Sequence, residues 1–189
     1  FPEDLWRART YGLHFLEGYF PHRELGVALY HLGDYTNAQT FLEQSMSETP
    51  SGRAKYYLNL VRQKLLVGRT TTPPQLAVDQ SAEQRWTMLR ERVISGFARS
   101  EAYVQDVRIN GQRQFVELAE QSIPFQQTIP LRSGPNTLTV IASVLAGRST
   151  ERKIEWIADW QPPELLIRTC KEQAGAWTCE GVFVDNCGL

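Results

Sequence analysis

The sequence has no hydrophobic run of membrane-spanning length and few of the residues that bind metals. No apolar stretch approaches the about 18 residues that a transmembrane helix needs. The 189 residues include three histidines and three cysteines, and the cysteines lack the close paired spacing of a zinc site. The chain has 20 basic and 21 acidic residues, so the basic bias of nucleic-acid-binding proteins is missing. We therefore expect no membrane span within this chain, no nucleic-acid partner, no metal and no cofactor.

Motifs of the common catalytic sites are also missing. The chain contains no nucleophile elbow, no phosphate-binding glycine loop and no His-Glu motif of a zinc hydrolase. His14 and Glu17 would share one face of a helix, which is a weak metal pattern and more typical of solvated side chains. Asp159, Asp185 and Asn186 offer oxygen ligands without the ligand run of a calcium loop. We predict that the chain is not an enzyme.

The first third of the chain has a helical hydrophobic period. We predict four helices, at about residues 3–19, 22–32, 35–48 and 52–67. The first would bury Leu5, Leu13 and Leu16. Gly33 would make a tight turn after the second helix, and Gly68 suits a left-handed cap after the fourth.

Part of this segment resembles a tetratricopeptide repeat over about 34 residues. The residues that carry the resemblance are Leu25, Gly26, Leu29, Gly33, Tyr35, Ala38, Leu42, Ser45 and Pro50. Gly26 and Ala38 would let the two helices approach closely, and Pro50 would stop the second one. Two positions depart from the pattern, since Ser45 stands for the usual alanine and His22 for an aromatic residue.

The resemblance implies that an unidentified protein or peptide binds along the concave face of the helices. The side chains that would face this groove are Arg23, Val27, Tyr30, His31, Tyr57, Val61 and Lys64. Arg23 and Lys64 would receive an acidic group or a C-terminal carboxylate, and the tyrosines would supply rigid contact area. Ordinary surface and packing roles are the alternative. About three repeats are usually needed for a continuous core, so the helices must lean on the following domain or on other material.

From residue 69 onward the pattern becomes that of strands. Residues 69–75 include Pro73-Pro74 and read as an extended hinge. The alternating apolar positions that follow are Leu76 and Val78; Leu89, Val93 and Phe97; Val107 and Ile109; Ile123, Phe125, Ile129 and Leu131; Leu138, Val140, Ala142 and Val144; and Ile154, Trp156 and Ala158. Asn110-Gly111 is a strong two-residue hairpin signal. Six or seven short strands suit a two-sheet sandwich, with a small open barrel as the alternative.

Residues 76–160 resemble the bacterial immunoglobulin-like domains that occur in tandem in envelope proteins. The segments that carry this resemblance are Val107 to Gly111, Leu131 to Val140 and Ala146-Gly147-Arg148. Pro73-Pro-Gln-Leu-Ala-Val78 also returns as Pro162-Pro-Glu-Leu-Leu-Ile167, an offset of 89 residues between positions 73 and 162. Gly96-Phe97 similarly returns as Gly181-Val182. We therefore predict that residues 161–189 are the first strands of an incomplete second copy. We expect the chain to be part of a longer protein, with a hairpin clamped by Cys170 and Cys179 as the alternative explanation of this tail.

The last 20 residues hold all three cysteines. A disulfide between Cys170 and Cys179 would clamp a hairpin, leave Cys187 unpaired and indicate a compartment outside the cytoplasm. Three reduced thiols are the alternative. Trp156, Trp160 and Trp177 would either form a surface for carbohydrate or cover the ends of the sandwich.

We thus predict an α+β multidomain chain: tetratricopeptide-like antiparallel helices at 1–68, a hinge at 69–75, an immunoglobulin-like β-sandwich at 76–160 and an incomplete second copy at 161–189. The leading hypothesis is an extracytoplasmic interaction or scaffold protein of the bacterial cell envelope, with the β-domain as a spacer. A carbohydrate-binding region and an accessory region of a larger envelope enzyme are the alternatives.

Overall fold

The computed structural model describes residues 3–69, 72–79 and 85–184. It is an α+β structure with three helices followed by a region rich in strands. The helices are α1 (Pro21–Leu32), α2 (Tyr35–Glu48) and α3 (Gly52–Leu66). The strands are β1 (Leu5–Arg9), β2 (Phe15–Tyr19), β3 (Gln75–Val78), β4 (Trp86–Thr87), β5 (Glu91–Ile109), β6 (Gln112–Arg113), β7 (Glu120–Pro130), β8 (Gly134–Val144), β9 (Ser149–Ala158), β10 (Glu164–Gln173) and β11 (Ala176–Val184).

The predicted first helix is wrong, because residues 5–19 form the antiparallel hairpin β1–β2. Gly12 and Gly18 both have positive φ, a backbone conformation that interrupts a helix. Leu5, Leu13 and Leu16 are exposed instead of buried. The spacing of these leucines resembled a helical stripe, but it matches no packed face in the structure.

The other three helices begin and end within one residue of their predicted bounds. Gly33 ends α1 in the left-handed conformation and its N–H donates to the Leu29 and Tyr30 carbonyl oxygens, as expected for a tight turn. The Asp34 side chain accepts a hydrogen bond from the Asn37 N–H at the start of α2. Ser51 caps α3 in the same way.

The helices pack around a small apolar core. Its buried residues are Val27, Ala38, Leu42, Ala54, Leu58 and Val61. Gly26, in α1, is pressed against Leu42 and the backbone of Ala38 in α2. A small residue at this crossing is what the sequence predicted. Leu118, from the loop before β7, also packs against the helical core.

The chain divides into two compact units that interleave along the sequence. The first consists of Phe1–Val78, Gly96–Phe125 and Thr139–Arg152, and the second of Asp79–Ser95, Gln126–Leu138 and Lys153–Leu189. In the first unit, β5 lies between β3 and β8, and β6 and β7 also pair with β5. In the second unit, β4 runs parallel to β9, and β10 and β11 form a separate two-stranded antiparallel sheet.

The hairpin predicted at Asn110-Gly111 is confirmed. Both residues have positive φ, 49° and 81°, as a type I′ turn requires, and Ile109 pairs with Gln112 across it. The side-chain oxygen of Asn110 accepts a hydrogen bond from the Thr139 N–H, and the backbone N–H of Asn110 donates to the Thr139 carbonyl oxygen. This turn is therefore tied to β8 as well as to β5.

The predicted alternation is confirmed in β8 and β9 and wrong at the start of β5. Leu138, Val140, Ala142, Val144, Ile154, Trp156 and Ala158 are all buried. The expected strand at 86–97 is instead split between β4 and β5, and Leu89 and Val93 are exposed. The opposite face of β5 is the buried one, with Ile94 and Arg92 inside. Both faces carry apolar residues here, so alternation alone selects neither.

Candidate binding surface on the helices

The structure brings together three of the predicted groove residues, which we call the aromatic cluster: Tyr30, His31 and Tyr57. Their ring centroids lie 5.3 Å (Tyr30–His31), 5.5 Å (Tyr30–Tyr57) and 5.8 Å (His31–Tyr57) apart, all near-perpendicular. Tyr30 and His31 end α1, whereas Tyr57 stands in the middle of α3. The cluster is formed because α1 and α3 lie side by side in the helical array. Edge-to-face rings at these distances are mutually stabilising.

The cluster is partly open to solvent. His31 is exposed, and Tyr30 and Tyr57 are half-buried. The hydroxyl of Tyr57 lies 3.5 Å from His31 Nε2, at the limit of a hydrogen bond. The rings therefore support one another while presenting aromatic surface and polar atoms to the outside.

Other aromatic side chains border the cluster. The Tyr35 ring lies 5.8 Å from Tyr30, and the Tyr56 ring lies 5.3 Å from Tyr57. The Arg53 guanidinium stands 5.3 Å from the Tyr57 ring centroid and forms an ion pair with Glu24 of α1. The groove prediction did not include Tyr35, Tyr56 or Arg53. An arginine one turn before Tyr57 on a helix was the available signal for Arg53.

The remaining predicted groove residues have other positions. Val27 and Val61 are buried in the helical core and do not line a surface. Arg23 lies 3.9 Å above the Phe20 ring and pairs with Glu24 at 2.8 Å, and its side chain is 15% exposed. The Arg23 guanidinium thus contacts Phe20 and Glu24 within the chain. Lys64, in the last turn of α3, is exposed.

A buried polar cluster of Asp4, His22 and Glu48 lies at the start of α1 and was not predicted. Asp4 accepts hydrogen bonds from the N–H groups of His22 and Arg23, so its carboxylate caps α1 from outside the helix. His22 Nδ1 lies 2.8 Å from Glu48 Oε2, which also accepts the Asp4 N–H. Thr49 Oγ1 donates to the Asp4 carbonyl oxygen. These bonds tie the N-terminal segment to α1 and α2.

The electrostatics of this cluster favour an ionised Glu48. Partial burial of the carboxyl raises its pKa, but hydrogen bonds from the Asp4 N–H, the His22 ring and the Gln44 amide, with the charge of His22, hold the pKa of Glu48 below its ordinary value. The three residues offer potential ligand atoms within 4.8 Å of one another. The carboxylate oxygens already accept these hydrogen bonds, so the geometry is that of a structural hydrogen-bond network.

The helical segment also contacts the loop before β7. Asn59 Oδ1 accepts the Ala119 N–H at 3.0 Å, and Arg62 donates to the Ala119 carbonyl oxygen at 2.7 Å. Lys55 pairs with Glu117. The Arg62 guanidinium stacks 4.3 Å from the ring of Tyr103, a residue of β5 with the uncommon φ of 56°.

The structure separates or buries several residues of the weaker metal and carbohydrate patterns. His14 and Glu17 lie in the β1–β2 hairpin and do not share a helix face. The Asp159 carboxylate accepts the Gln161 N–H, and Asp185 and Asn186 lie outside the described residues. Trp156 is buried beneath Arg92, and so it cannot stack on a sugar.

The other two tryptophans differ from Trp156 and from each other. Trp160 is partly buried with Arg90 near its ring, whereas Trp177 is exposed.

Cys170 and Cys179 are joined by a disulfide and stand directly opposite each other in the β10–β11 hairpin. Cys187 lies outside the described residues. Among the described residues, no helix is both long and apolar enough to cross a membrane. A comparison of the chain with protein-family models finds no match, and a comparison with curated proteins finds none either.

Proposed function

We propose that this chain is a non-catalytic interaction protein of the bacterial cell envelope, in which tetratricopeptide-like helices bind a partner protein or peptide. The observation that carries this proposal is the aromatic cluster. Tyr30, His31 and Tyr57 come from two helices that are not adjacent along the chain and converge on one partly exposed surface. Tyrosine and arginine, which both occur here, are enriched in protein-binding surfaces.

The packing of the helices supports the tetratricopeptide part of the proposal. Gly26 sits against Ala38 and Leu42, which are the positions where the repeat needs a close helix crossing. In this proposal α1 and α3 are the first helices of two successive repeats, and they line the binding face. His22 occupies the aromatic position of the repeat, and its ring stacks on Phe41 with an interplanar angle of 13°. The planar imidazole of His22 therefore takes the place that an aromatic ring has in the repeat.

The cluster is suited to a ligand of defined chemistry. Each aromatic ring is held by its neighbours, so little side-chain entropy is lost when a partner contacts it. Arg53 and Lys64 place positive charge on either side of Tyr57 along α3. We infer that the ligand is a peptide segment with an apolar or aromatic anchor for the cluster and an acidic group toward Lys64.

The strand region suits the role of a spacer with an immunoglobulin-like fold. Its buried alternation in β8 and β9 and its tight turn at Asn110-Gly111 are features of such sandwiches. The Cys170–Cys179 disulfide agrees with an oxidising compartment such as the periplasm or the cell surface. These observations support an extracytoplasmic location.

The test is a comparison of partner capture by matched variants. We would replace Tyr57 by alanine and Lys64 by glutamate, with Gln39→Ala on α2 as the control, and quantify proteins captured from a cell-envelope extract by mass spectrometry. Loss of Tyr57 should weaken capture of a specific partner by about tenfold or more, because central aromatic residues contribute most of the binding free energy. Lys64→Glu should weaken it less and mainly at low salt. If wild type and Tyr57→Ala capture the partner equally, the partner binds outside the aromatic cluster.

A further inference from the structure

A cavity of about 600 Å³ is lined by residues of β3, β5 and β7 and of the segment before β3. Such a volume is ordinary for a site that binds a small molecule. Among the described residues that line the cavity, only Pro73 is fully apolar. The polar side chains include Gln75 of β3, Arg99 and Glu101 of β5, and Gln121 and Ser122 of β7. The cavity shares no residue with the aromatic cluster on the helices.

The pairing of the strands places Gln75, Arg99 and Glu101 on one face of the sheet. Gln75 stands opposite Arg99, and Glu101 follows Arg99 by two residues and therefore lies on the same side of β5. All three side chains are exposed. Ala98 and Ala102, on the other side of β5, are buried. The sheet thus holds an arginine and a glutamate at neighbouring positions of its exposed face.

Two contacts hold the guanidinium of Arg99 in place. Its Nε donates a hydrogen bond to Ser122 Oγ at 3.3 Å, and its Cζ lies 4.1 Å from the centre of the Phe97 ring. Neither contact uses the Nη groups, which are the outer donors of the planar guanidinium. A side chain that is already held in this way loses little entropy when it donates to a ligand.

The amide and carboxylate groups of the cavity are available to a ligand. Over residues 3–69, 72–79 and 85–184, no hydrogen bond or ion pair involves the side chains of Gln75, Glu101 or Gln121. The Glu101 carboxylate offers two acceptor oxygens, and each amide offers both donors and an acceptor. The cavity therefore combines a charged donor, a charged acceptor and two groups that can do both.

This combination of groups discriminates between classes of ligand. An anion such as phosphate would be repelled by the Glu101 carboxylate, and a cation would be repelled by Arg99. An apolar peptide side chain would find only Pro73 to contact. A carbohydrate hydroxyl both donates and accepts, and planar guanidinium, carboxylate and amide groups can each bind two neighbouring hydroxyls. A carbohydrate therefore satisfies all of these groups at once.

We propose that this cavity binds a short, uncharged carbohydrate. Its hydroxyls donate to the Glu101 carboxylate and accept from the Nη groups of Arg99, and the amides of Gln75 and Gln121 bind further hydroxyls. The described residues that line the cavity include no aromatic side chain, so this binding does not use stacking on a ring. We therefore expect a weak dissociation constant for a single site, about millimolar. The site is independent of the helical surface.

The probe is an array of immobilised neutral, amino and acidic saccharides. The full chain is displayed in many copies on fluorescent beads, because multivalent display retains binding that is weak at one site. The neutral saccharide with the strongest signal is then titrated against the free chain by NMR, which follows the side-chain amide signals of Gln75 and Gln121 and gives the dissociation constant.

The cavity variants are Arg99→Ala and Glu101→Ala. Their matched controls are Arg132→Ala and Glu91→Ala, which remove the same side chains at exposed positions outside the cavity. Each cavity variant should weaken saccharide binding by about tenfold, because each removes a charged hydrogen-bonding group. Each control should change it by less than about threefold. Far-UV circular dichroism checks that all four variants are folded.

A silent array overturns the proposal, and so does saccharide binding that both cavity variants retain. Signals from acidic saccharides alone, or binding of inorganic phosphate or free glycine that depends on Arg99 without any saccharide bound, also overturn it, because the cavity would then recognise charge. Tyr57→Ala should leave saccharide binding unchanged. If Tyr57→Ala abolishes it, the saccharide binds on the helices and the cavity proposal fails, whatever the result of partner capture.

Discussion

Gly26 and Leu42 are in direct contact where α1 crosses α2, and a Cβ at residue 26 would come within 2.7 Å of Leu42 Cγ. Leu42 is fully buried, so its side chain has little room to move aside. The same added atom would lie 3.2 Å from the Ala38 carbonyl oxygen. The distance between the two helices therefore depends on the absence of a side chain at residue 26.

Replacing Gly26 by valine should separate α1 from α2. We expect the free energy of unfolding to fall by about 2 kcal/mol, a typical cost of overpacking a core. Urea unfolding followed by far-UV circular dichroism measures this change. Gly52→Val is the matched control, because nothing lies within 4 Å of a Cβ added at residue 52. An equal loss in both variants would show that the crossing is not tight.

Glu48 should make the stability of the chain depend on acid. Its pKa is lowered in the folded state from the ordinary value of 4.5, so the folded protein binds this proton more weakly than the unfolded one. The stabilisation by ionised Glu48 is therefore complete above about pH 4.5 and is lost as the pH falls through the lowered pKa. Glu48→Gln should be less stable than wild type near neutral pH, and the difference should shrink toward zero in acid.

Thermal or urea unfolding of wild type and Glu48→Gln between about pH 7 and about pH 3 tests this dependence. Glu91→Gln, at an exposed position of β5, is the control for removing one carboxylate. If the difference between wild type and Glu48→Gln stays constant over this range, the Glu48 carboxylate does not contribute through its ionisation.

Asn59→Ala should loosen the loop before β7. The Ala119 N–H would lose its acceptor while Ala119 is only 1% exposed, and an unpaired buried donor costs about 1–3 kcal/mol. Asn59→Asp keeps an oxygen at the same place and should cost less. Hydrogen exchange of the Ala119 amide reports the effect directly: we expect faster exchange in Asn59→Ala than in Asn59→Asp. Identical exchange in the two variants would contradict the role of Asn59.

Alkylation of the non-reduced, denatured chain should label one thiol of the three cysteines. Cys170 and Cys179 are opposite each other and bonded in the β10–β11 hairpin, which leaves Cys187 as the reactive group. Peptide mass mapping should recover a Cys170–Cys179 link that disappears after reduction. Three labelled thiols would contradict the disulfide and remove its support for an extracytoplasmic location.

Some elements could be predicted because their signals are local. Gly33, Asp34 and Ser51 end or begin helices through their own backbone conformation and nearest hydrogen bonds. Asn110-Gly111 likewise adopts positive φ at two residues that tolerate it. Tyr30 and Tyr57 were named from the tetratricopeptide resemblance, and they lie close together because α1 and α3 are in contact.

Other features could not be predicted because residues distant in sequence decide them. Asp4 and Glu48 are 44 residues apart, and neither position suggests a partner until the helices have packed. Leu13 looked like a core residue by its spacing, but two glycines with positive φ turn its segment into an exposed hairpin. Val27 and Val61 were expected on the surface, whereas the packing of three helices places both in the core.

The sequence by itself determined where α1, α2 and α3 begin and end, which residues of β8 and β9 are buried, and the turn at Asn110-Gly111. These depend on capping, alternation and φ preferences that act within a few residues. Only the tertiary structure decided which face of β5 is buried, that Asp4 caps α1 from outside the helix, and that Arg99 of β5 contacts Ser122 of β7. Each of these depends on which side chains come into contact after folding, and the burial of apolar surface sets that choice across the whole chain.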